Sequence, residues 1–302
     1  MLYCSMSTIK IYFAPTDWAS SKQVYDDYKY QTPDNDGVWE NIQAVFNPDE
    51  ADFLIIQDSI SDSNLLNKFK PSNRLYFNRE ALSIGIIDRY PASQYTRFSF
   101  WDGSGYLPIR WWYGSNVQMS PQGYSGIPLT YDELKKLQPP IKTEKICSIL
   151  TDKEVNDGHR VRKRFAKQYL SKYSIDLYGS IQFKNSEIPS NDKSKVLEKY
   201  EYCLGFDNQD FIKGFFGTQC TDSLLMWTVP IFWCGTDLRD YLPEGSFIQF
   251  NARDLNEIDR IHHIIENDDY DSRLRALAEA RKLILDTYNF WPTIQTLISK
   301  IK

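Results

Sequence analysis

Residues 200–250 read YEYCLGFDNQDFIKGFFGTQCTDSLLMWTVPIFWCGTDLRDYLPEGSFIQF, and the order of patterns within them decides the fold class. An apolar run from Tyr202 to Phe206 stops at Asp207-Asn208 and gives way to a polar, Gly-containing loop. A run of helical length follows as far as Trp227, and then a second apolar run, from Val229 to Trp233, stops at Cys234-Gly235. Short apolar runs bounded by turn residues are strands buried on both faces, and the helical length between them allows parallel pairing. Strand, loop, helix and strand make one βαβ unit, in which ligands sit beyond the carboxyl ends of the strands.

The same grammar extends outward in both directions. Toward the N-terminus, a strand is expected over Lys145–Leu150 and a helix from about His159 to Ser171, whose Val161, Phe165 and Tyr169 recur on one face. Arg160, Arg162, Lys163, Arg164 and Lys167 occupy the rest of that helix, whose first turn offers free N–H groups to an anion. A further strand is expected over Ile175–Tyr178. Gln138-Pro139-Pro140 resists helix continuation and separates this half from residues 1–138. There, runs at Ile9–Phe13, Asp52–Gln57 and Arg74–Asn78 alternate with helical lengths and predict a second parallel sheet, with residues 39–46 helical or extended and residues 90–130 as surface loops. An amphipathic helix is expected over Arg273–Leu285, and a last helix, begun by Trp291-Pro292, within residues 286–302, with the first half as a surface for it to pack on. The expected organisation is α/β, with units at 1–138 and 139–285.

Composition narrows the classes of function. The 302 residues carry 42% hydrophobic and 15% aromatic side chains, enough for packed cores. A formal charge of −5 gives no global reason to bind nucleic acid or an anionic membrane, so anion binding must be local. Five scattered cysteines without a CxxC pair, and three histidines, argue against a metal site and for buried thiols in a reduced compartment. No run approaches the roughly 20 apolar residues needed to span a bilayer. A soluble, cytoplasmic protein of a bacterium or virus is expected.

Several elements together resemble the α1,3-fucosyltransferases of glycosyltransferase family 10. Asp207-Asn208 stands where the family closes a strand on Glu-Asn, Val229-Pro230-Ile231-Phe232-Trp233 matches its Val-Pro-Ile-aromatic-Trp strand, and Pro243 to Ile248 matches its Pro-x-x-Ser-Phe-Ile segment. The resemblance implies a GT-B fold, two facing Rossmann-like domains with the active site between them. It implies an inverting, metal-independent enzyme that needs no cofactor and moves a sugar from a nucleotide-sugar donor to a glycan hydroxyl. GDP-fucose is the first-choice donor. A UDP-sugar such as UDP-xylose, or a non-catalytic protein that binds carbohydrate or nucleotide, is the alternative.

The resemblance also implies site residues. Arg162, in Val161-Arg162-Lys163-Arg164-Phe165, corresponds to the arginine of a short Arg-x-x-Phe helix that holds the donor pyrophosphate, a task suited to a two-pronged guanidinium. Asp207 and Asn208 are expected in the donor cradle, although an Asx turn capping the strand has the same sequence. Counting back from Pro230 sets Gly217, Thr218 and Gln219 at the family's Thr-Glu-Lys triplet, so neither charge is kept, and Lys213 on the preceding loop is the nearest substitute. For the base, Glu80 ends a strand like the one that closes on the family's catalytic glutamate. Asp17, after the first strand, is the rival from position alone.

Overall fold

A computed structural model describes residues 7–77, 91, 93–99, 107–108, 129–179, 193–212 and 214–301. The first half is built on β1 (Ile9–Phe13), β2 (Val38–Trp39), β3 (Ile42–Ala44), β4 (Phe53–Gln57), β5 (Arg74–Phe77), β6 (Thr96–Ser99) and β7 (Leu107–Pro108), with helices α1 (Ser21–Lys29) and α2 (Tyr131–Lys136). The strands form one sheet in the order β2-β3-β1-β4-β5-β6-β7, parallel except for the β2–β3 pair. Every side chain of β4 is buried, as expected of a central strand covered on both faces.

Two expectations are refined here. The stretch around residues 39–46 is extended, and its turn residue Glu40 has φ 50°. The loops expected across residues 90–130 give way at Thr96–Ser99 and Leu107–Pro108, which extend the sheet by two parallel strands. These strands are too short, and in Thr-Arg-Phe-Ser too polar, to show an apolar run; buried Arg97 occupies an inward position there.

The second half contains β8 (Glu144–Leu150), α3 (Asp157–Lys172), β9 (Asp176–Gly179), α4 (Lys193–Leu197), β10 (Tyr200–Phe206), α5 (Thr218–Leu225), β11 (Val229–Trp233) and β12 (Ile248–Gln249). Its sheet is wholly parallel in the order β12-β11-β10-β8-β9. The order reverses between β8 and β10: β8 leads through α3 to β9 on one side, and β10 leads through α5 to β11 on the other. That reversal is the topological switch point at which open α/β sheets bind ligands. The described cysteines Cys147, Cys203, Cys220 and Cys234 are free thiols buried in this half, and Trp227 and Trp233 are buried with them.

Helices α6 (Glu257–Asn267), α7 (Tyr270–Asp286) and α8 (Phe290–Ile301) complete the chain. Helix α8 lies against the first half: the Trp291 Nε1–H donates to the Tyr28 carbonyl at 3.0 Å, and the Phe290 ring sits 4.3 Å from the Tyr28 ring. Helix α7 grips α2 through Arg281, whose guanidinium donates to the Leu134 carbonyl at 2.5 Å and lies 4.5 Å above the Trp227 ring. Trp227 holds a left-handed φ of 59°, a costly conformation for an aromatic residue, and from it the indole N–H reaches the Leu137 carbonyl at 3.0 Å. No described helix is long and apolar enough to cross a membrane.

Candidate active site

The switch point is opened by a parting of strands. The register between β8 and β10 runs from Tyr200 opposite Glu144 to Cys203 opposite Cys147, yet both strands continue for three further residues. Backbone groups beyond that point need other partners. The Ser148 hydroxyl donates to the Leu204 carbonyl at 2.6 Å. Gln219, in the first turn of α5, accepts from the Phe206 N–H at 3.0 Å and donates to the Ile149 carbonyl at 2.5 Å. One amide therefore bridges the two strand ends and sets the floor of the crevice. The residue expected to contact a donor is engaged at both ends by the fold.

Helix α3 enters above this floor. Asn156 caps it by accepting from the His159 N–H at 2.9 Å. Gly158 brings its first turn against the loop after β10: a Cβ there would lie 2.0 Å from the Asn208 carbonyl oxygen, so only glycine permits the contact. Arg162 is buried, and its Nη2 donates to the Thr151 hydroxyl at 2.6 Å and the Thr151 carbonyl at 3.2 Å. Burial lowers the guanidinium pKa from its ordinary value, but the group stays charged. The rest of the basic face behaves as a solvated surface; Lys163, for example, pairs with Asp152 and Glu154.

The loop after β10 supplies the opposite wall. Asp207 is buried, and its Oδ1 accepts from the Gly217 N–H at 2.9 Å, holding the loop closed at the start of α5. Burial pushes the Asp207 carboxyl well above the usual carboxylate range, against the smaller opposing pull of that N–H. Gln209 receives the Phe211 and Ile212 N–H groups on its Oε1 at 3.0 and 2.9 Å. From beyond β12, Arg253 ties the walls together, pairing with Asp210 at 2.6 Å and with Asp157 in the first turn of α3 at 2.8 Å.

Five buried polar atoms in this crevice have no hydrogen-bond partner among the described residues: His159 Nδ1, Arg162 Nε, Asp207 Oδ2, Asn208 Oδ1 and Gln209 Nε2. Each such atom costs about 1–3 kcal/mol, and buried polar atoms are ordinarily paired. Donors and acceptors both occur among the five, on the start of α3 and on the loop after β10, which the close approach of Gly158 to the Asn208 carbonyl holds together. Such a concentration suits a polar ligand carrying both hydroxyls and anionic oxygens.

Residues 139–273 match the model of the glycosyltransferase family 10 (fucosyltransferase) C-terminal domain. That match covers a little under half of the chain, the second half, which is therefore similar to the family's C-terminal domain. The matched span holds β8 to β12 and the whole crevice, and the chain is a glycosyltransferase. No curated protein sequence matches it. Among solved structures, an alpha1,3-fucosyltransferase is similar with a TM-score of 0.58 at 16% identity, covering 100% of this chain and 92% of that one. An alpha1,3-fucosyltransferase with GDP-fucose gives 0.56 at 16% over the same shares. One with GDP gives 0.56 at 15%, over 99% and 90%. At these identities the likeness is one of fold, and that fold is GT-B, with its two Rossmann-like halves.

The expected site residues fall into three groups. Arg162, Asp207 and Asn208 come together at the switch point. Thr218 opens α5 beside them, half-buried next to Gly217, while Gln219 bridges the strands. Asp17 lies elsewhere, exposed beyond the end of β1, with its backbone N–H bonded to the Ser59 hydroxyl at 3.2 Å and the half-exposed Trp18 beside it. Glu80 and Lys213 lie outside the described residues. His159, Gln209 and Arg253 were not anticipated. For His159 the signal was present, since an Asn three residues earlier marks a helix cap and sets it one turn before Arg162.

Proposed function

We propose that the chain transfers a sugar, with inversion, from a nucleoside-diphosphate donor held at the β8–β10 switch point to a glycan hydroxyl, with GDP-fucose as the first-choice donor. The observation that carries this reading is the cluster of five unpaired buried polar atoms around Arg162 and the first turn of α3. Departure of a diphosphate develops negative charge, which fixed cations and helix N–H groups stabilise without reorganisation. Arg162 supplies the charge and the first turn of α3 the dipole. Asp207 Oδ2 and Asn208 Oδ1 offer unpartnered oxygens to sugar or ribose hydroxyls. Residues 1–138 would carry the acceptor and the base, residues 139–285 the donor. No metal and no cofactor enters the scheme. The solved alpha1,3-fucosyltransferase with GDP-fucose favours the guanosine donor over a uridine one.

A thermal-shift screen of GDP, UDP, CDP and TDP in excess EDTA tests this. A ligand of the folded state raises the melting temperature by mass action, by about 2.7 kcal/mol of stability at a hundredfold excess over Kd. GDP is expected to give the largest shift, undiminished by EDTA. A larger shift with UDP reassigns the donor, and a shift that appears only on adding manganese or magnesium contradicts the metal-free scheme.

A further inference from the structure

His159 has no part in the scheme above, yet its surroundings match those of Arg162. Both residues are 8% exposed, and they stand three apart in the first two turns of α3, hence on one face. Each presents a buried nitrogen without a partner, Nδ1 on His159 and Nε on Arg162. The Asn156 cap and the Gly158 contact fix the turn that carries them. The helix has sixteen residues, so its N-terminus carries a developed dipole.

We propose that His159 is a second binding residue for the donor diphosphate, its imidazolium meeting phosphate oxygens beside the Arg162 guanidinium. The proposal rests on the reading of the crevice as a nucleoside-diphosphate site. Around the ring, Arg162 lies on the same helix and Lys153 on the preceding loop. Asp152 and Glu154 are paired with Lys163, Asp157 and Asp210 with Arg253, and Asp207, whose pKa burial raises, accepts from the Gly217 N–H. Without a ligand the imidazole pKa is lowered, first by burial and then by the charges of Arg162 and Lys153. A diphosphate brings negative charge to the same place and raises it again. Binding then takes up a proton. The added affinity is complete below the pKa of the free imidazole, which lies below its ordinary value, and is lost as pH rises through that of the bound one.

Titration calorimetry with GDP-fucose and UDP-glucose, from about pH 5.5 to 8.5, reads this directly, because the diphosphate of a sugar nucleotide does not itself titrate there. Wild type should bind the better of the two about three- to tenfold more tightly at the acid end, the difference between a charge-assisted hydrogen bond and the neutral one the unprotonated ring still makes. The heat should vary with the ionisation enthalpy of the buffer. His159→Gln should bind like wild type at the alkaline end and show no pH slope. The chain has only His159, His262 and His263, so imidazole proton resonances give a second reading that survives any misfolding of that variant. His262→Gln and His263→Gln identify the other two by elimination, and the midpoint of the remaining resonance should rise on adding nucleotide. A flat wild-type profile, a slope retained in His159→Gln, or a His159 midpoint indifferent to nucleotide overturns the proposal. Failure of both sugar nucleotides to bind wild type at any pH overturns the donor reading itself, and the proposal with it.

Discussion

Glu80→Gln is expected to lower kcat by about 10²–10⁴-fold, the usual worth of a general base, with donor affinity near that of wild type. The substitution keeps size and hydrogen bonding and removes basicity. Inversion at the anomeric carbon requires the base to approach from the face opposite the departing diphosphate. If the second half holds the donor, the base comes from the first. Glu80 is the first choice because the run Arg74 to Asn78 leading to it resembles the family strand that closes on the catalytic glutamate. Asp17 is the rival, exposed on the loop that follows β1 and free of any capping duty for α1, which Ser20 performs. Asp17→Asn separates the two. Should it be inactive while still binding donor, with Glu80→Gln within a few-fold of wild type, the role passes to Asp17. Normal turnover in both variants would mean that the acceptor hydroxyl is deprotonated by some other group.

Arg162→Ala should weaken nucleoside-diphosphate binding by about 1.5–3 kcal/mol, as for a charge-assisted hydrogen bond in a buried site. Binding of the free nucleoside should scarcely change, because the lost contact is to phosphate. The geometry makes this separable from a folding defect. Among the described residues Arg162 is anchored through Thr151, on the loop between β8 and α3, and the core side chains of α3 include Val161, Phe165 and Tyr169. Arg162→Lys keeps the charge but cannot hold Thr151 and a phosphate at once, so it should recover only part of the affinity. Equal diphosphate affinity in wild type and Arg162→Ala would remove the residue from the site.

What could be read in the sequence followed from how local its cause is. Strands β8, β10 and β11 are apolar runs ending at turn residues, and they were legible because burial on both faces leaves no other composition. The amphipathic period of α3 was equally plain, and with it the position of Arg162. Strands β6 and β7 were missed because four- and two-residue strands containing Arg97 and Pro108 carry no such run. The role of Gln219 was not legible for a different reason. Spacing from Pro230 set it at a family position that contacts the donor, but the unpaired backbone groups of Ile149 and Phe206 arise only when β8 and β10 part in three dimensions. Arg253 was hidden by distance along the chain, since it meets Asp210 across 43 residues and Asp157 across nearly a hundred. Asp207 was legible as the residue that closes β10, whereas its burial arises only when the loop to Gly217 folds back over it.

The central claim is that a nucleoside diphosphate sits where β8 and β10 part, between the first turn of α3 and the loop after β10. Hydrogen–deuterium exchange of the full chain, with and without saturating GDP, tests this most directly, because ligand contact slows exchange of the amides it covers. A separate cavity of about 640 Å³ lies outboard, lined by Cys234, Asp237, Arg239, Gln249 and Arg260 among others, and provides an internal comparison. Its arginines are already paired, Arg239 with Asp237 at 2.6 Å and Arg260 with Glu257 at 2.5 Å. Protection is expected in residues 149–163 and 206–219, with residues 234–249 unchanged. Protection confined to residues 234–249 and the start of α6, with the β8–α3 and β10–α5 segments exchanging as before, would contradict the account.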